Sequence, residues 1–240
     1  MSRVYLVRHG QAGTRHVYDE LSDLGREQSR LLGEHFASQK IRFDRAIAGS
    51  MQRQRQTAAE VASTCARMPE AMIDSGWDEF DLDHVYQVLA PVLREENEDF
   101  RREYDAMRAE LAAATEHNAG VHRRWTASDL KIVQAWIEGH PKYTGETWIQ
   151  FQQRIAATRA ALASAAHEED DHNIVVFTSA TPIGIWAALS LDVEDHRAMR
   201  LAGVLHNASY TVMRLRPGQL RLHAFNAIPH LPDRHLQTYR

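Results

Sequence analysis

Cysteine is nearly absent from this 240-residue chain, which contains only Cys65. A single cysteine excludes an intramolecular disulfide framework and is typical of proteins in a reducing compartment. Cys65 falls on the apolar stripe of the helix predicted after residue 50, so we expect a buried side chain rather than a reactive thiol.

Long apolar runs are missing as well. No segment approaches the roughly 20 consecutive apolar residues that cross a bilayer. The first predicted strand begins almost at once, where a secretory leader would need a basic and then an apolar stretch. We therefore expect a soluble, cytoplasmic protein.

Neither sign of charge dominates, because 28 Lys and Arg face 32 Asp and Glu, for a formal net charge of −4. The basic residues are spread along the chain, which argues against nucleic acid and against an anionic membrane surface as partners. Despite 14 histidines, the sequence has neither a Cys-x-x-Cys pair nor a His-Glu-x-x-His motif. We expect no metal and no other cofactor.

Short apolar runs alternate with amphipathic stretches. The run Val4–Val7 and the run "IVVF" (174–177) are apolar throughout, which is typical of buried strands in parallel sheets, and "FDRAIAG" predicts a further strand. Helices follow, with Ser22 predicted to cap the first and Thr181 the one that starts near Pro182. The segment "ASYTVMRLRPGQLRLHAF" predicts a hairpin. The order predicts an α/β protein, a three-layer α/β/α fold with a mostly parallel central sheet.

The pattern changes to almost continuous helix at about residues 81–140, which we interpret as a helical insertion in a single domain spanning residues 1–240. One charged helix in it carries an apolar seam at alternating spacings of four and three residues: Phe100, Tyr104, Met107, Leu111 and Ala114. The seam could pack on the main body, cover a site or form a contact between two copies, so a homodimer is left open.

Two strands end in residues that suit an anion. Val4–Val7 runs into Arg8, His9 and Gly10, and the second buried strand runs through Ser179 into a helix N-terminus. Ligands of open α/β sheets bind beyond the carboxyl ends of the strands. An arginine, an imidazole, a hydroxyl and helix amides together predict a phosphate site.

A third element, "GSMQRQRQTAAEV", places Arg53 and Arg55 in the first turns of a helix and off the face marked by Ala58 and Ala62. Cations are unfavourable at a helix N-terminus, so these arginines need another explanation. Phosphate binding is one explanation, and a solvated surface is the other.

Motifs in a fixed order resemble those of the histidine phosphatase superfamily, the phosphoglycerate-mutase-like proteins. "LVRHGQA" resembles the family's Arg-His-Gly signature, and "LSDLGREQ", "GSMQRQRQTA", "GETWIQFQQRI", "LHNASYTVMRL" and "FNAIPHL" resemble its later segments. The matches run from Arg3 to Leu231, so the resemblance covers nearly the whole chain.

The resemblance implies a role for each matching residue. His9 would be the nucleophile that becomes phosphohistidine, and Arg8 and Arg53 would hold the phosphoryl oxygens. Glu79 aligns best with the family's general acid, with Asp81 as the alternative. Gln11 lies in the loop from Gln11 to Tyr18 that, with the helical insertion, would set the substrate, a small phosphorylated molecule.

The chain departs from the family in one motif, at two adjacent positions. The family's second signature has a histidine and a glycine where this chain has Ser179 and Ala180. Serine can donate a hydrogen bond to a phosphoryl oxygen but cannot carry positive charge. His206 and His230 are candidates to replace the histidine, although a structural or surface role is the stronger interpretation of both.

Three functions follow from this comparison. A metal-independent phosphoric monoester hydrolase ranks first. A catalytically impaired member that binds a phosphorylated ligand ranks second, because of Ser179. A phosphoglycerate mutase ranks last, since a mutase must retain and return the phosphoryl group.

Overall fold

The fold is described from a computed structural model, which describes residues 2–13, 19–113, 126–165, 172–193, 197–216 and 219–239. The strands are β1 Ser2–Arg8, β2 Arg45–Ala48, β3 Ala71–Ile73, β4 Asn173–Thr178, β5 Tyr210–Arg216 and β6 Gln219–Ala227. The helices are α1 Asp23–Ser38, α2 Gln52–Thr64, α3 Leu82–Glu96, α4 Glu98–Ala112, α5 Ala127–Ile137, α6 Trp148–Ala165, α7 Ala180–Leu191 and α8 Ala198–Gly203.

The six strands form one sheet in the order β3-β2-β4-β1-β5-β6. The pairs β3 with β2, β2 with β4 and β4 with β1 are parallel, while β5 and β6 form the predicted hairpin beside β1. The predicted Pro-Gly turn at residues 217–218 lies outside the described residues. The prediction of an α/β fold with a mostly parallel sheet is confirmed.

Register places the ends of β1 and β4 side by side, with Arg8 opposite Thr178. Both strands point the same way, so the residues that follow them, His9 and Ser179, emerge next to each other at the carboxyl edge. Neighbouring strands are about 4.8 Å apart, which brings the two backbones within reach of one bound anion.

Alternate side chains of β1 pack into opposite layers. Tyr5 and Val7 join the buried cluster formed with Phe36 of α1 and Val61 of α2. Leu6 points to the other face, where α7 packs against β1 and β6. The core therefore occupies both faces of the sheet, as expected for three layers.

Helix α1 begins as predicted, and α7 does not. The Ser22 hydroxyl accepts a hydrogen bond from Gly25 N and caps α1. In α7 the N-cap is Ser179 rather than Thr181, so Pro182 is the third helical residue. Proline is tolerated there because the first-turn N–H groups have no partner within the helix.

The chain divides into two compact units, residues 1–79 with 154–240 and residues 80–153. The second unit contains α3, α4 and α5, and within it the Trp136 ring stacks on Phe80 at 4.4 Å between centroids. Phe100 and Met107 of the apolar seam are buried, whereas Ala114 lies outside the described residues.

Among the helices that the structure describes, none has both the length and the hydropathy that crossing a bilayer requires.

Candidate active site

His9 sits directly after β1, and its backbone is held from both neighbouring strands. Its N–H donates to the carbonyl of Thr178 (2.9 Å) at the end of β4. Its carbonyl accepts from Ala208 N (3.1 Å) and from Asn207 Nδ2 (3.4 Å), just before β5. The position of the predicted nucleophile is thus determined by the sheet and by the "LHNAS" segment.

The His9 imidazole is buried, and its Nδ1 lies 2.8 Å from the carbonyl of Gly10. A carbonyl oxygen can only accept, so Nδ1 carries the proton and Nε2 carries the lone pair. Burial lowers the pKa of His9 well below its usual value, and the positive charges of Arg53 and then Arg8 lower it further. The ring is therefore neutral near pH 7, the state in which a histidine can attack phosphorus.

Two glycines allow α1 to approach this loop. A Cβ on Gly10 would lie 2.3 Å from the carbonyl oxygen of Gly25, and a Cβ on Gly25 would lie 2.1 Å from that of Gln11. The Gln28 side chain, one turn further along α1, accepts from Gln11 N (2.8 Å). The motif "LSDLGREQ" therefore shapes the nucleophile loop in three ways. Ser22 caps α1, Gly25 allows the backbones to come close, and the Gln28 side chain binds the loop.

Gln11, predicted to bind substrate, is buried, and its side-chain oxygen accepts from the Ser22 hydroxyl (2.9 Å). Its role in substrate binding stays a prediction, and residues 14–18 of the same loop lie outside the described residues.

Arg8 and Arg53 are both buried, and the positive charge of each lowers the pKa of His9. Arg8 Nη1 donates to the carbonyl of Leu205. Arg53 Nη1 forms an ion pair with Asp19 Oδ1 (2.8 Å), and Asp19 Oδ2 accepts from the backbone N–H of Gln52 at the start of α2 (3.1 Å).

The buried face of α2 differs from the expected one. Arg53 lies on it with Gln54 and Thr57, while Ala62 and Arg55 are exposed. The spacing of apolar residues does not reveal this part of the buried face, because polar side chains with partners inside the protein line it. The solvated interpretation of Arg53 is wrong, and that of Arg55 fits its exposure.

Glu79 follows a 3₁₀ turn, Ser75–Trp77, that is held by Arg154 of α6. Arg154 Nη1 lies 3.1 to 3.2 Å from the carbonyls of Ser75, Gly76 and Asp78. Glu79 Oε2 accepts from Thr181 N (3.1 Å), so this carboxylate reaches the N-terminus of α7, beside Ser179.

The other acids of the same segment have separate contacts. Asp78 accepts from Ser50 N (2.6 Å) and from the Ser50 hydroxyl (2.5 Å). Asp81 caps α3 by accepting from His84 N (2.9 Å). These contacts favour Glu79 over Asp81 as the general acid, although both remain predictions.

Ser179 is buried, and its Oγ accepts from Gln54 Nε2 (2.9 Å). Since a hydroxyl both accepts and donates, this contact leaves its own proton for another acceptor.

The two histidines considered as replacements lie against aromatic rings. His206 stacks on Tyr239 at 4.2 Å between ring centroids. His230 lies against His35 (6.0 Å) and Tyr210 (6.2 Å). Their contacts fit structural roles.

Four residues that contact the site or its supports are not singled out by the sequence: Asp19, Gln54, Arg154 and Asn207. Arg154 and Asn207 fall inside segments that resemble family motifs, and Gln54 follows Arg53 directly. For these three residues, position within a motif was the one feature of the sequence that could have indicated a role. Within the ranges the structure describes, no group of three or more His, Cys, Asp or Glu side chains is arranged to hold a metal ion.

The model of the histidine phosphatase superfamily (branch 1) matches residues 4–135 and 122–228, and so most of the chain. This chain belongs to the histidine phosphatase superfamily. The family assignment made from the motifs is confirmed.

One curated relative is the mitochondrial serine/threonine-protein phosphatase Pgam5 of Caenorhabditis elegans, 40% identical over 55 residues. That stretch is 23% of this chain and 19% of the relative, so the chain matches about a fifth of that protein's length.

Solved structures share the superfamily fold. A phosphoserine phosphatase mutant from Entamoeba histolytica, in complex with phosphoserine, has a TM-score of 0.61 at 17% identity, covering 96% of this chain and all of that one. A phosphoglycerate mutase from Bacillus anthracis has a TM-score of 0.59 at 15% identity, covering 95% of this chain and 94% of that one. A phosphatase and a mutase thus share the fold, so function must be argued from the site.

Proposed function

We propose that this chain is a phosphatase that hydrolyses small phosphate monoesters through a phosphohistidine on His9, without a metal ion. The observation that carries the proposal is the buried His9 ring, whose Nδ1 faces the Gly10 carbonyl and whose pKa is lowered by burial and by the charges of Arg53 and Arg8, so that it is neutral with Nε2 unprotonated. Phosphoryl transfer depends mainly on positioning and on stabilising negative charge, and Arg8 and Arg53 supply both.

The first step forms a bond between His9 Nε2 and phosphorus while the bond to the leaving oxygen breaks. Arg8, Arg53 and the Ser179 hydroxyl bind the three phosphoryl oxygens. Glu79, as the carboxylic acid, gives its proton to the leaving alcohol.

The second step regenerates the enzyme. The Glu79 carboxylate takes a proton from water, the oxygen of that water attacks phosphorus, and the bond to His9 Nε2 breaks. Inorganic phosphate leaves, His9 is neutral again, and Glu79 is protonated for the next cycle.

A second candidate is an impaired member that binds a phosphorylated ligand without turning it over. Ser179 favours it, because the family's histidine is replaced by a group that cannot carry charge. Losing such a donor costs on the order of 10² to 10³ in rate in comparable anion sites.

Incubation of the purified protein with 4-nitrophenyl phosphate in excess chelator, beside His9→Ala, separates the two. We expect turnover above the variant and an acid-labile, alkali-stable phosphoenzyme in the wild type alone. Equal rates with no phosphoenzyme would contradict the phosphatase proposal and support the binding protein. Calorimetry would then measure the affinity of that protein for inorganic phosphate.

A further inference from the structure

The Ser179 hydroxyl does not make the capping hydrogen bond that a serine at the start of a helix usually makes. Ser179 is the N-cap of α7, where a hydroxyl usually accepts from a first-turn N–H. Within the described chain, however, its side chain makes no capping hydrogen bond. The carboxylate of Glu79 accepts from Thr181 N instead. The hydroxyl is therefore available for a purpose other than capping.

Gln54 determines which way that hydroxyl points. Its side chain is fully buried, and Nε2 contacts both Ser179 Oγ (2.9 Å) and the carbonyl of Trp77 (3.4 Å). The Trp77 carbonyl can only accept, so the amide nitrogen rather than the oxygen faces these two groups. Ser179 Oγ is therefore the acceptor, and its proton points away from Gln54.

The surroundings hold the amide in this orientation. The Thr178 hydroxyl donates to the same Trp77 carbonyl (2.5 Å), which fixes that acceptor. On the other side Gln54 Oε1 packs against Gly49, where a Cβ would lie 1.9 Å away. A side chain at position 49 would therefore displace the Gln54 amide.

Ser179 follows β4 at the same edge of the sheet where His9 follows β1. His9 donates its N–H to Thr178, the residue before Ser179, and Arg53 precedes Gln54 on α2. His9, Arg53 and Ser179 are therefore linked through two covalent neighbours and two hydrogen bonds, His9 N to the Thr178 carbonyl and Gln54 Nε2 to Ser179 Oγ.

We propose that Gln54 is a positioning residue that acts through Ser179: it directs the serine hydroxyl at the phosphoryl group and so replaces the hydrogen bond that the family obtains from its second histidine. This inference rests on the proposed function. Because both groups are uncharged, the donor does not titrate, whereas a histidine there would.

A double-mutant cycle on turnover of 4-nitrophenyl phosphate tests the coupling. Gln54→Met keeps the volume but removes the donor, and Ser179→Ala removes the hydroxyl. We expect each to lower kcat by about 10²-fold, and the double variant to be about as slow as Ser179→Ala alone. Gln52→Ala, on the same helix, is the matched control and keeps the backbone N–H that contacts Asp19.

A second variant gives a signature that lost packing would not produce. In Gln54→Glu the ionised carboxylate accepts from Ser179 and turns its proton away from the phosphoryl group, while the protonated acid can donate as glutamine does. We expect its kcat, relative to wild type, to rise as the pH is lowered.

The outcomes separate the two proposals. If wild type is active and the single effects multiply in the double variant, or Gln54→Met retains the wild-type kcat, this inference is wrong and the proposed function stands. If wild type forms no phosphohistidine, both are wrong. Thermal melting establishes that each variant is folded.

Discussion

Glu79 and Thr181 are joined by a hydrogen bond from a backbone N–H to a carboxylate oxygen, across 102 residues of sequence. The contact places the proposed general acid at the positive end of α7, next to Ser179. One side chain thus caps the helix and reaches the edge of the sheet where His9 emerges.

Glu79→Gln tests the acid. Glutamine retains an oxygen for Thr181 N, so the cap survives, but it has no proton to give the leaving group. We expect kcat/KM for an alkyl phosphate to fall by about 10² to 10⁴, and that for 4-nitrophenyl phosphate, whose leaving group needs little protonation, to change far less. Asp81→Asn is the matched comparison, and a larger loss there would transfer the role to Asp81.

Ser179→His tests whether position 179 faces the phosphoryl group. Gln54 Nε2 lies only 2.9 Å from Ser179 Oγ, so an imidazole needs the space that Gln54→Ala provides. We expect the double variant to turn over at least about 10-fold faster than Gln54→Ala, since a charged donor joins the site. Equal kcat values in folded proteins would count against this placement. The pH profile should also gain an ionisation that wild type lacks.

Gly25→Ala tests the close approach of α1 to the nucleophile loop. The new Cβ would lie 2.1 Å from the Gln11 carbonyl oxygen, and because that atom belongs to the backbone the loop must shift. We expect a loss of about 1–3 kcal/mol in the free energy of unfolding, together with reduced turnover.

Gly203→Ala is the control for this substitution, because no described atom lies within 4 Å of a Cβ there. Circular dichroism melting measures both variants, and a wild-type melting temperature for Gly25→Ala would contradict the packing argument.

His230 should make stability depend on pH. Burial, and then the nearby His35, lower the pKa of His230 to about 3. In the unfolded chain the His230 imidazole takes up a proton near pH 6.5, whereas in the folded chain it stays neutral until the pH approaches 3. Stability is therefore full above pH 6.5 and falls towards pH 3, by up to about 1.4 kcal/mol per pH unit.

His230→Gln should flatten that dependence in urea unfolding curves measured from pH 7 to pH 4. The exposed His223→Gln should leave it unchanged. His9 contributes in the same direction, because its pKa is also lowered, so some slope should persist. An identical slope in His230→Gln and wild type would show that His230 takes up its proton equally in both states.

Much of the fold was accessible from the sequence because its signals are local. A wholly apolar run such as Val4–Val7 has few alternatives to a buried strand, and Ser22 caps α1 because its hydroxyl reaches the N–H groups of the next turn. The start of α7 was misplaced because its N-cap residue, Ser179, makes no capping hydrogen bond within the described chain, and the first-turn N–H of Thr181 donates instead to Glu79, which is distant in sequence.

The candidate site shows the same division. Sequence alone determined which residue types stand at the ends of β1 and β4, the order of the family motifs, and the departure at Ser179, since all are properties of neighbouring residues. Only the tertiary structure decided that Arg53 is buried, that the His9 proton lies on Nδ1, and that Gln54 holds Ser179. Burial, tautomer and hydrogen-bond direction depend on atoms brought together from separate segments, and no spacing along one segment records them.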